Sequence, residues 1–225
     1  MFEFVTLPVE LPELNSVEKE GQRYYPVPNG KFYPSITTIT SFRKRSFFAE
    51  WRKKVGPEVA DRITAAATGR GTTLHAIIEE YLNNRLNLDD FSDKPLPTTL
   101  FKVAKPALDR IGRIYALEAP LYSDLLGIAG RVDCIAEFDN ELAVIDFKSS
   151  TKEKKEEWIE NYFVQETAYA VMFFERTGIK PKKIVTIIAT EEGSCQVIIK
   201  TNLDHYYGLL KDYVDEFTRG TIHVK

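Results

Sequence analysis

The sequence contains little cysteine. Its 225 residues include only two, Cys134 and Cys195, which argues against a disulfide scaffold. Two thiolates are also too few for an iron–sulfur cluster held by four cysteines. We therefore expect a chain that folds around a hydrophobic core, in a compartment that can be reducing.

Long apolar runs and an excess of positive charge are also absent. No stretch approaches the roughly 20 apolar residues that cross a bilayer, so we expect no membrane partner. The formal net charge is −3, from 30 Lys and Arg against 33 Asp and Glu. This balance argues against a protein that coats nucleic acid indiscriminately, so any affinity for phosphate must come from a local patch.

The first twenty residues lack the features of a targeting segment. They are acidic and contain prolines, unlike an arginine-rich transit peptide or a signal peptide with a basic start. From this we expect a cytoplasmic location, in a bacterium or in a phage-infected host cell.

Length and composition predict one folded unit. A chain of 225 residues with a hydrophobic fraction of 44% can bury a sizeable core. We predict a single domain over residues 1–225, in which residues 1–33 form an N-terminal extension. This extension includes a small hairpin, because aromatic strand fragments flank the Pro-Asn-Gly turn at residues 28–30.

Residues 130–149 carry the strongest local pattern. Two runs typical of strands, VDCIAEF and ELAVIDFK, flank Asp139 and Asn140, a pair that tolerates the positive φ angles of a tight turn. A two-residue turn makes Phe138 face Glu141, and the same register places Asp133 opposite Asp146.

The hairpin therefore brings two carboxylates together. Cross-strand neighbours have Cβ atoms about 4.5–5.5 Å apart, and like charges at that distance repel unless a positive group lies between them. Because side chains alternate along a strand, Asp146 and Lys148 share one face while Phe147 points into the core. A divalent cation beside an amine is the chemistry that this pattern indicates.

The order of motifs resembles the PD-(D/E)xK nuclease superfamily and, within it, the RecB-like branch. Asp133 precedes the D-x-K run that ends at Lys148; upstream, Gly71 to His75 is similar to a G-x-x-x-H helix, and Gln165 to Tyr169 is similar to a Q-x-x-x-Y helix. Over roughly residues 30 to 218, the chain is most similar to the mitochondrial genome maintenance exonucleases and their phage relatives. Two cysteines separate it from the branch that carries iron–sulfur clusters.

The resemblance implies a fold and an activity. The fold would be α/β, a restriction-endonuclease-like core with a central mixed sheet flanked by helices. The activity would be that of a DNA exonuclease dependent on Mg²⁺ or Mn²⁺, preferring single-stranded ends, in DNA replication, repair or recombination. Its partner would be DNA.

The resemblance also assigns roles to residues. The catalytic group would be Asp133, Asp146 and Lys148, and the metal ligands would be His75, both aspartates and the backbone carbonyl of Phe147. The supporting residues would be Glu79, Glu118, Gln165 and Tyr169. His205 and His223 are interpreted as structural or surface residues.

Contacts to nucleic acid are expected near one end of the chain. Aromatic side chains of the hairpin could stack on bases or simply cap the core, and the run of basic residues from 43 to 54 could bind phosphate or form a solvated face. The candidates are Tyr24, Tyr25, Arg43, Lys44, Arg45, Arg52, Arg70 and Arg131.

Helical spacing is clear between the motifs. From Gly56 to Leu82 the pattern predicts two helices separated by Gly69, Arg70 and Gly71, and a further helix is expected from about Thr99 to Arg113.

Two rival functions remain open. One is a structure-specific endonuclease on the same fold, and the other is a nucleic-acid-binding module that has lost catalysis. The presence of Asp133, Asp146, Lys148, His75 and Gln165 together argues against the second, because a degenerate copy has no need of all five.

Overall fold

A computed structural model describes residues 1–222, so His223 lies outside the described residues. The strands are β1 (Val17–Lys19), β2 (Gln22–Pro26), β3 (Phe32–Pro34), β4 (Ile111–Ser123), β5 (Ile128–Phe138), β6 (Glu141–Ser150), β7 (Lys183–Thr190) and β8 (Cys195–Lys200). The helices are α1 (Ile36–Phe42), α2 (Arg45–Val55), α3 (Pro57–Leu82), α4 (Pro95–Leu108), α5 (Glu160–Thr177) and α6 (Leu203–Ile222).

A five-stranded mixed sheet forms the centre of the protein. Its strand order is β4-β5-β6-β7-β8, and every neighbouring pair is antiparallel except β6 and β7. The parallel pair needs a crossover connection, which α5 supplies between the two strands. The predicted α/β fold, with a mixed sheet flanked by helices, is therefore confirmed.

Each face of the sheet buries its own apolar layer. Ile135 and Val144 point to the layer that contains α1, α5 and α6, whereas Cys134 and Ile145 point to the layer that contains α3 and α4. This alternation follows from the twofold period of strand side chains. None of the helices within residues 1–222 has both the length and the apolar character needed to span a bilayer.

The predicted hairpin has the expected register. Phe138 pairs with Glu141, and the ladder continues as far as Cys134 with Ile145. Asp139 and Asn140 have φ angles of 50° and 64°, as a tight turn of this type requires. Asp133 and Asp146 are the next residues outward, at the point where the ladder between β5 and β6 ends.

The small N-terminal hairpin is also confirmed, but one of its residues was assigned a wrong role. β2 pairs with β3, and β1 adds a third strand. Tyr25 is only 3% exposed, because it packs with Leu14, Val27 and Tyr33 in a separate apolar cluster. It cannot stack on a base from that position. Tyr24 is half-buried and donates a hydrogen bond to Gln22.

Two helix predictions were wrong. α3 runs without interruption from Pro57 to Leu82, through Gly69 and Gly71. Each glycine costs a helix about 1 kcal/mol, and the buried residues of the second half, Leu74 to Leu82, outweigh that cost. The helix expected at 99–113 instead begins at Pro95, since proline is tolerated in the first turn, and it ends at Leu108 before β4.

Helix α2 and the first half of α3 are largely exposed. No residue of α2 is buried, and from residue 57 to residue 69 only Ala60 is buried. Lys44 begins this segment and contacts Trp158 and Asn161, and Arg70 ends it and contacts Ser149. Its exposed apolar side chains include Phe47, Phe48 and Ile63.

The fold predicts that Gly130 cannot be enlarged. A Cβ atom at Gly130 would lie 2.8 Å from Cε1 of Tyr169 and 3.1 Å from Cγ2 of Ile36, and both side chains are buried. Gly130→Ala should therefore lower the free energy of unfolding by about 1–3 kcal/mol in urea denaturation.

The matched control is Gly69→Ala. An added Cβ there meets no atom within 4 Å, and the residue lies inside α3. This variant should be more stable than the wild type by about 0.5–1 kcal/mol. An unchanged midpoint for Gly130→Ala would contradict the tight packing of Tyr169.

Candidate active site

The predicted site residues converge where β5 and β6 stop pairing with each other. Glu118 comes from β4, Asp133 from β5, and Asp146 with Lys148 from β6. His75 reaches them from α3 on one side of the sheet, and Gln165 reaches them from α5 on the other. The two helices thus flank a single cleft.

Three of these side chains could hold a metal ion. Ligand atoms of His75, Glu118 and Asp133 all lie within 4.8 Å of one another. Nδ1 of His75 is 3.7 Å from Oδ1 of Asp133 and 3.9 Å from Oε1 of Glu118. One imidazole nitrogen and two carboxylates are a donor set that suits a divalent cation. The structure thus gives Glu118 a more central place than the supporting role expected for it.

The peptide of Phe147 fixes two of the three ligands. Nε2 of His75 lies 2.7 Å from the carbonyl oxygen of Phe147, and the backbone N–H of Phe147 donates to Oδ2 of Asp133 at 2.8 Å. If Nε2 carries the proton, Nδ1 presents its lone pair to the two carboxylates. Metal-binding histidines commonly donate their second N–H to a backbone carbonyl in this way. The expected role of this carbonyl as a metal ligand stays a prediction.

Asp146 is held apart from that group. It is 1% exposed, forms an ion pair with Lys148 through Oδ2, and accepts a hydrogen bond of 3.2 Å from Nε2 of Gln165 through Oδ1. Its Oδ2 has no further hydrogen-bond partner within residues 1–222. A buried carboxylate oxygen with spare capacity of this kind also fits a cation, and its role as a ligand stays a prediction.

The electrostatics of the cleft favour bound positive charge. Burial and, second to it, the Asp133 carboxylate together raise the pKa of Glu118 to about 7. Burial also raises the pKa of Asp146 to about 6, against the attraction of Lys148. Burial alone would lower the pKa of Lys148. The neighbouring carboxylates of Asp146 and Asp133 have the larger effect, so the pKa of Lys148 is raised. A bound cation would therefore favour the ionised form of these carboxylates.

Glu118 has an unusual backbone. Its φ angle is 47°, in the left-handed region that residues other than glycine rarely adopt. The side chain of Arg131 donates a hydrogen bond to its carbonyl oxygen. Residues in such conformations cost about 1–3 kcal/mol and concentrate at functional sites, and here the distortion accompanies a carboxylate that meets His75.

One face of α5 lies along the site. Tyr162 lies three and four residues before Gln165 and Glu166, and Tyr169 lies four and three residues after them, so the four residues share a face. Gln165 and Tyr169 were predicted here. Tyr162 and Glu166 were missed, although the same spacing from Gln165 could have indicated both.

The two missed residues lie beside Lys148 and beside the strand residue that pairs with Asp146. Nζ of Lys148 lies 5.2 Å from the centre of the Tyr162 ring, within the range of a cation–π interaction. Glu166 is fully buried and accepts a hydrogen bond from Thr186, which pairs with Asp146 in the sheet. Burial raises the pKa of Glu166 well above its ordinary value, and the neighbouring Asp146 carboxylate acts in the same direction.

Glu79 borders the opening of the site. A cavity of about 390 Å³ is lined by Gly71, Thr72, His75, Ala76, Glu79 and Glu118. The charge of Glu79 contributes to the raised pKa of Glu118. Its predicted supporting role is therefore an electrostatic one.

Most of the predicted basic contacts already have partners within the chain. Arg43 pairs with Glu216, Arg52 with Asp61, and Arg70 with Glu191. Lys44 donates to Asn161 at 2.7 Å, and Arg45 lies over the ring of Phe42. These pairs leave less positive charge for phosphate than the sequence suggests.

Comparison with known proteins gives one family. Residues 35–198 match the family model described as PD-(D/E)XK nuclease superfamily. The curated relatives include mitochondrial genome maintenance exonuclease 1 from Mus musculus and from Xenopus tropicalis, 30% and 33% identical over 129 and 132 residues. Each alignment covers 54% of this chain but only 38% and 37% of the relative, so less than half of each relative is spanned. A crystal structure of a predicted exonuclease from Eubacterium rectale matches with a TM-score of 0.41 and 17% identity, over 67% of this chain and 66% of that chain.

The raised pKa of Glu118 predicts a pH-dependent effect on stability. Because its folded-state pKa exceeds the ordinary value, ionising Glu118 reduces the stability of the metal-free protein as pH rises from about 5 to 8. Glutamine does not ionise. Glu118→Gln should match the wild type near pH 5 and exceed it by about 3 kcal/mol at pH 8, in urea denaturation with a chelator present. The same difference at both pH values would show that the carboxylate is not destabilised by its surroundings.

The position of Tyr162 predicts a role in holding Lys148. Tyr162→Leu removes the ring beneath the amine and should lower kcat about threefold to thirtyfold, with a smaller change in KM. Tyr162→Phe keeps the ring and should stay close to the wild type. Steady-state rates of nucleic-acid cleavage test both variants, and equal damage by the two would point to the hydroxyl instead.

Proposed function

The chain belongs to the PD-(D/E)XK nuclease superfamily, and from this we propose that it is a metal-dependent deoxyribonuclease that degrades single-stranded DNA from its ends. The observation that carries the proposal is the arrangement of Glu118, Asp133, Asp146, Lys148 and His75 in one cleft. A phosphodiester carries a negative charge and repels a nucleophile, so hydrolysis needs both charge compensation and a positioned proton acceptor.

Each residue has a role in this proposal. His75, Glu118 and Asp133 would hold a divalent cation, with Asp146 adjoining them. Magnesium or manganese suits a site built mainly of oxygen ligands, and the chemistry that such an ion supplies is neutralisation of charge and polarisation of a phosphoryl oxygen. Lys148 would position the attacking water or stabilise charge that develops on the phosphate.

A preference for single strands is supported by the segment from Lys44 to Arg70. This exposed segment contacts Trp158 at its start and Ser149 at its end. Ser149 follows Lys148 by one residue, so the segment lies beside the cleft. Phe47 and Phe48 are 64% and 51% exposed and could stack on unpaired bases. Lys53 and Lys54 are exposed on the same segment and are not among the paired residues above.

Attack at ends is supported by the curated relatives, which are named as exonucleases. The rival proposal is a structure-specific endonuclease on the same fold, since the chemistry of the cleft would be identical. The two differ in what they require of the substrate, because only an endonuclease can open a closed circle.

The proposal predicts how four substrates behave. In magnesium, linear single strands should be degraded faster than blunt duplexes, closed single-stranded circles should resist, and rates should fall as salt rises. Linear strands labelled separately at the 5′ and 3′ ends give the polarity from the first products. Rapid cutting of the circle would favour the endonuclease.

The matched controls are Asp146→Asn and Lys148→Ala. Each should lose at least 100-fold in cleavage rate, and the double variant should lose little more, because the residues act as one unit. Both should still bind a single-stranded oligonucleotide in calcium. Near-normal turnover by Asp146→Asn would overturn the assignment of the site.

A further inference from the structure

Trp158 lies exposed beside the active site and has no part in the proposed chemistry. It ends a short 3₁₀ turn, Glu156–Trp158, in the connection between β6 and α5. The side chain is exposed to 55%, although tryptophan usually buries most of its surface. The chain has only two tryptophans, Trp51 and Trp158.

The turn that presents Trp158 is held from three directions. The side chain of Gln196 accepts from the backbone N–H of Lys154 at 2.7 Å and donates to its carbonyl oxygen at 3.0 Å. Nζ of Lys44 donates to the carbonyl oxygen of Trp158 at 3.3 Å, and Lys200 forms an ion pair with Glu156. The exposed indole is therefore fixed in place by its backbone.

The position of Trp158 is tied to that of Lys148. Tyr162 follows Trp158 by four residues at the start of α5, and its ring lies 5.2 Å from Nζ of Lys148. Nζ of Lys44 donates both to the carbonyl oxygen of Trp158 and to Oδ1 of Asn161, the residue before Tyr162. The turn that carries the indole therefore adjoins the end of α5 that packs against Lys148, the amine that faces the reacting phosphate in the proposed function.

The charge around the indole indicates what it would bind. Lys155 lies 5.1 Å from the ring centre, and residues 151–159 carry three lysines and three glutamates, so positive and negative charges balance in this connection. A phosphate group would therefore gain little electrostatic stabilisation beside the indole. An aromatic surface without strong local charge suits the face of a nucleobase, which is polarisable and uncharged.

We propose that Trp158 is a stacking platform for an unpaired base of the substrate strand, next to the phosphate held at the active site. This inference rests on the proposed function, because it takes a single-stranded polynucleotide as the ligand. Stacking requires a base that is free of its partner, so the platform would also favour single strands over duplexes.

The experiment measures binding of an oligothymidylate in calcium, where cleavage is suppressed. Trp158→Ala should raise Kd about tenfold, a loss within the range known for stacking of a base on an aromatic side chain. Trp158→Phe should recover most of the affinity. Because stacking is not ionic, the ratio of Kd between Trp158→Ala and the wild type should stay constant from low to moderate salt.

Phe174→Ala provides the matched control. Phe174 is an aromatic residue exposed to 48% near the other end of α5, far along the helix from Trp158. Its removal should leave Kd unchanged. In Trp51→Phe the remaining tryptophan emission comes from Trp158, and it should be quenched as the oligonucleotide saturates the protein.

The outcomes separate the two proposals. If the wild type binds the oligonucleotide but Trp158→Ala binds equally well and the Trp51→Phe variant shows no quenching, the platform is overturned while the nuclease proposal stands. If the wild type does not bind single strands in calcium or cleave them in magnesium, the proposed function fails and the platform with it.

Discussion

The structure is organised around the repulsion between carboxylates that share one cleft. Glu118, Asp133 and Asp146 come from three neighbouring strands, and Asp146 is almost fully buried. Burial makes Glu118 and Asp146 harder to ionise, and the Asp133 carboxylate acts on both in the same direction. Lys148 and His75 offset only part of this cost. The remaining imbalance is what makes the cleft a cation site in the proposed function.

The surrounding elements each reduce that imbalance in a different way. Helix α3 brings an imidazole that is oriented by the Phe147 carbonyl. Helix α5 brings an amide to Asp146 and an aromatic ring to Lys148, and burial raises the pKa of its Glu166 well above the ordinary value. The close approach of α5 to the sheet depends on Gly130, where even a methyl group would collide with Tyr169. Polar support and tight packing are therefore properties of the same helix.

Sequence reasoning succeeded where the determinants are local. The register of the β5–β6 hairpin follows from a two-residue turn, and it placed Asp133, Asp146 and Lys148 correctly at one end of the sheet. It ranked Glu118 only as a second-tier metal or structural residue, because its place beside His75 depends on a left-handed residue in a strand paired with β5. It also overestimated how many basic side chains are free to bind phosphate. Arg43 and Glu216, for example, are 173 residues apart, and no local pattern shows that they pair. The prediction divided helix α3 at its two glycines because it counted their cost to the helix. It did not count the stabilisation from burying the second half of the helix, which outweighs that cost.

The distribution of charge bears on how the protein would distinguish single strands from duplexes. Arg43, Arg52 and Arg70 are engaged by carboxylates of the same chain, and the net charge is −3. Attraction to the phosphate backbone acts on both forms of DNA, so a protein that relied on it would discriminate poorly. Aromatic stacking acts only on bases that are unpaired. With three of the candidate arginines paired within the chain and exposed rings at Phe47, Phe48 and Trp158, we expect binding to depend strongly on stacking, and a preference for single strands would follow from that balance.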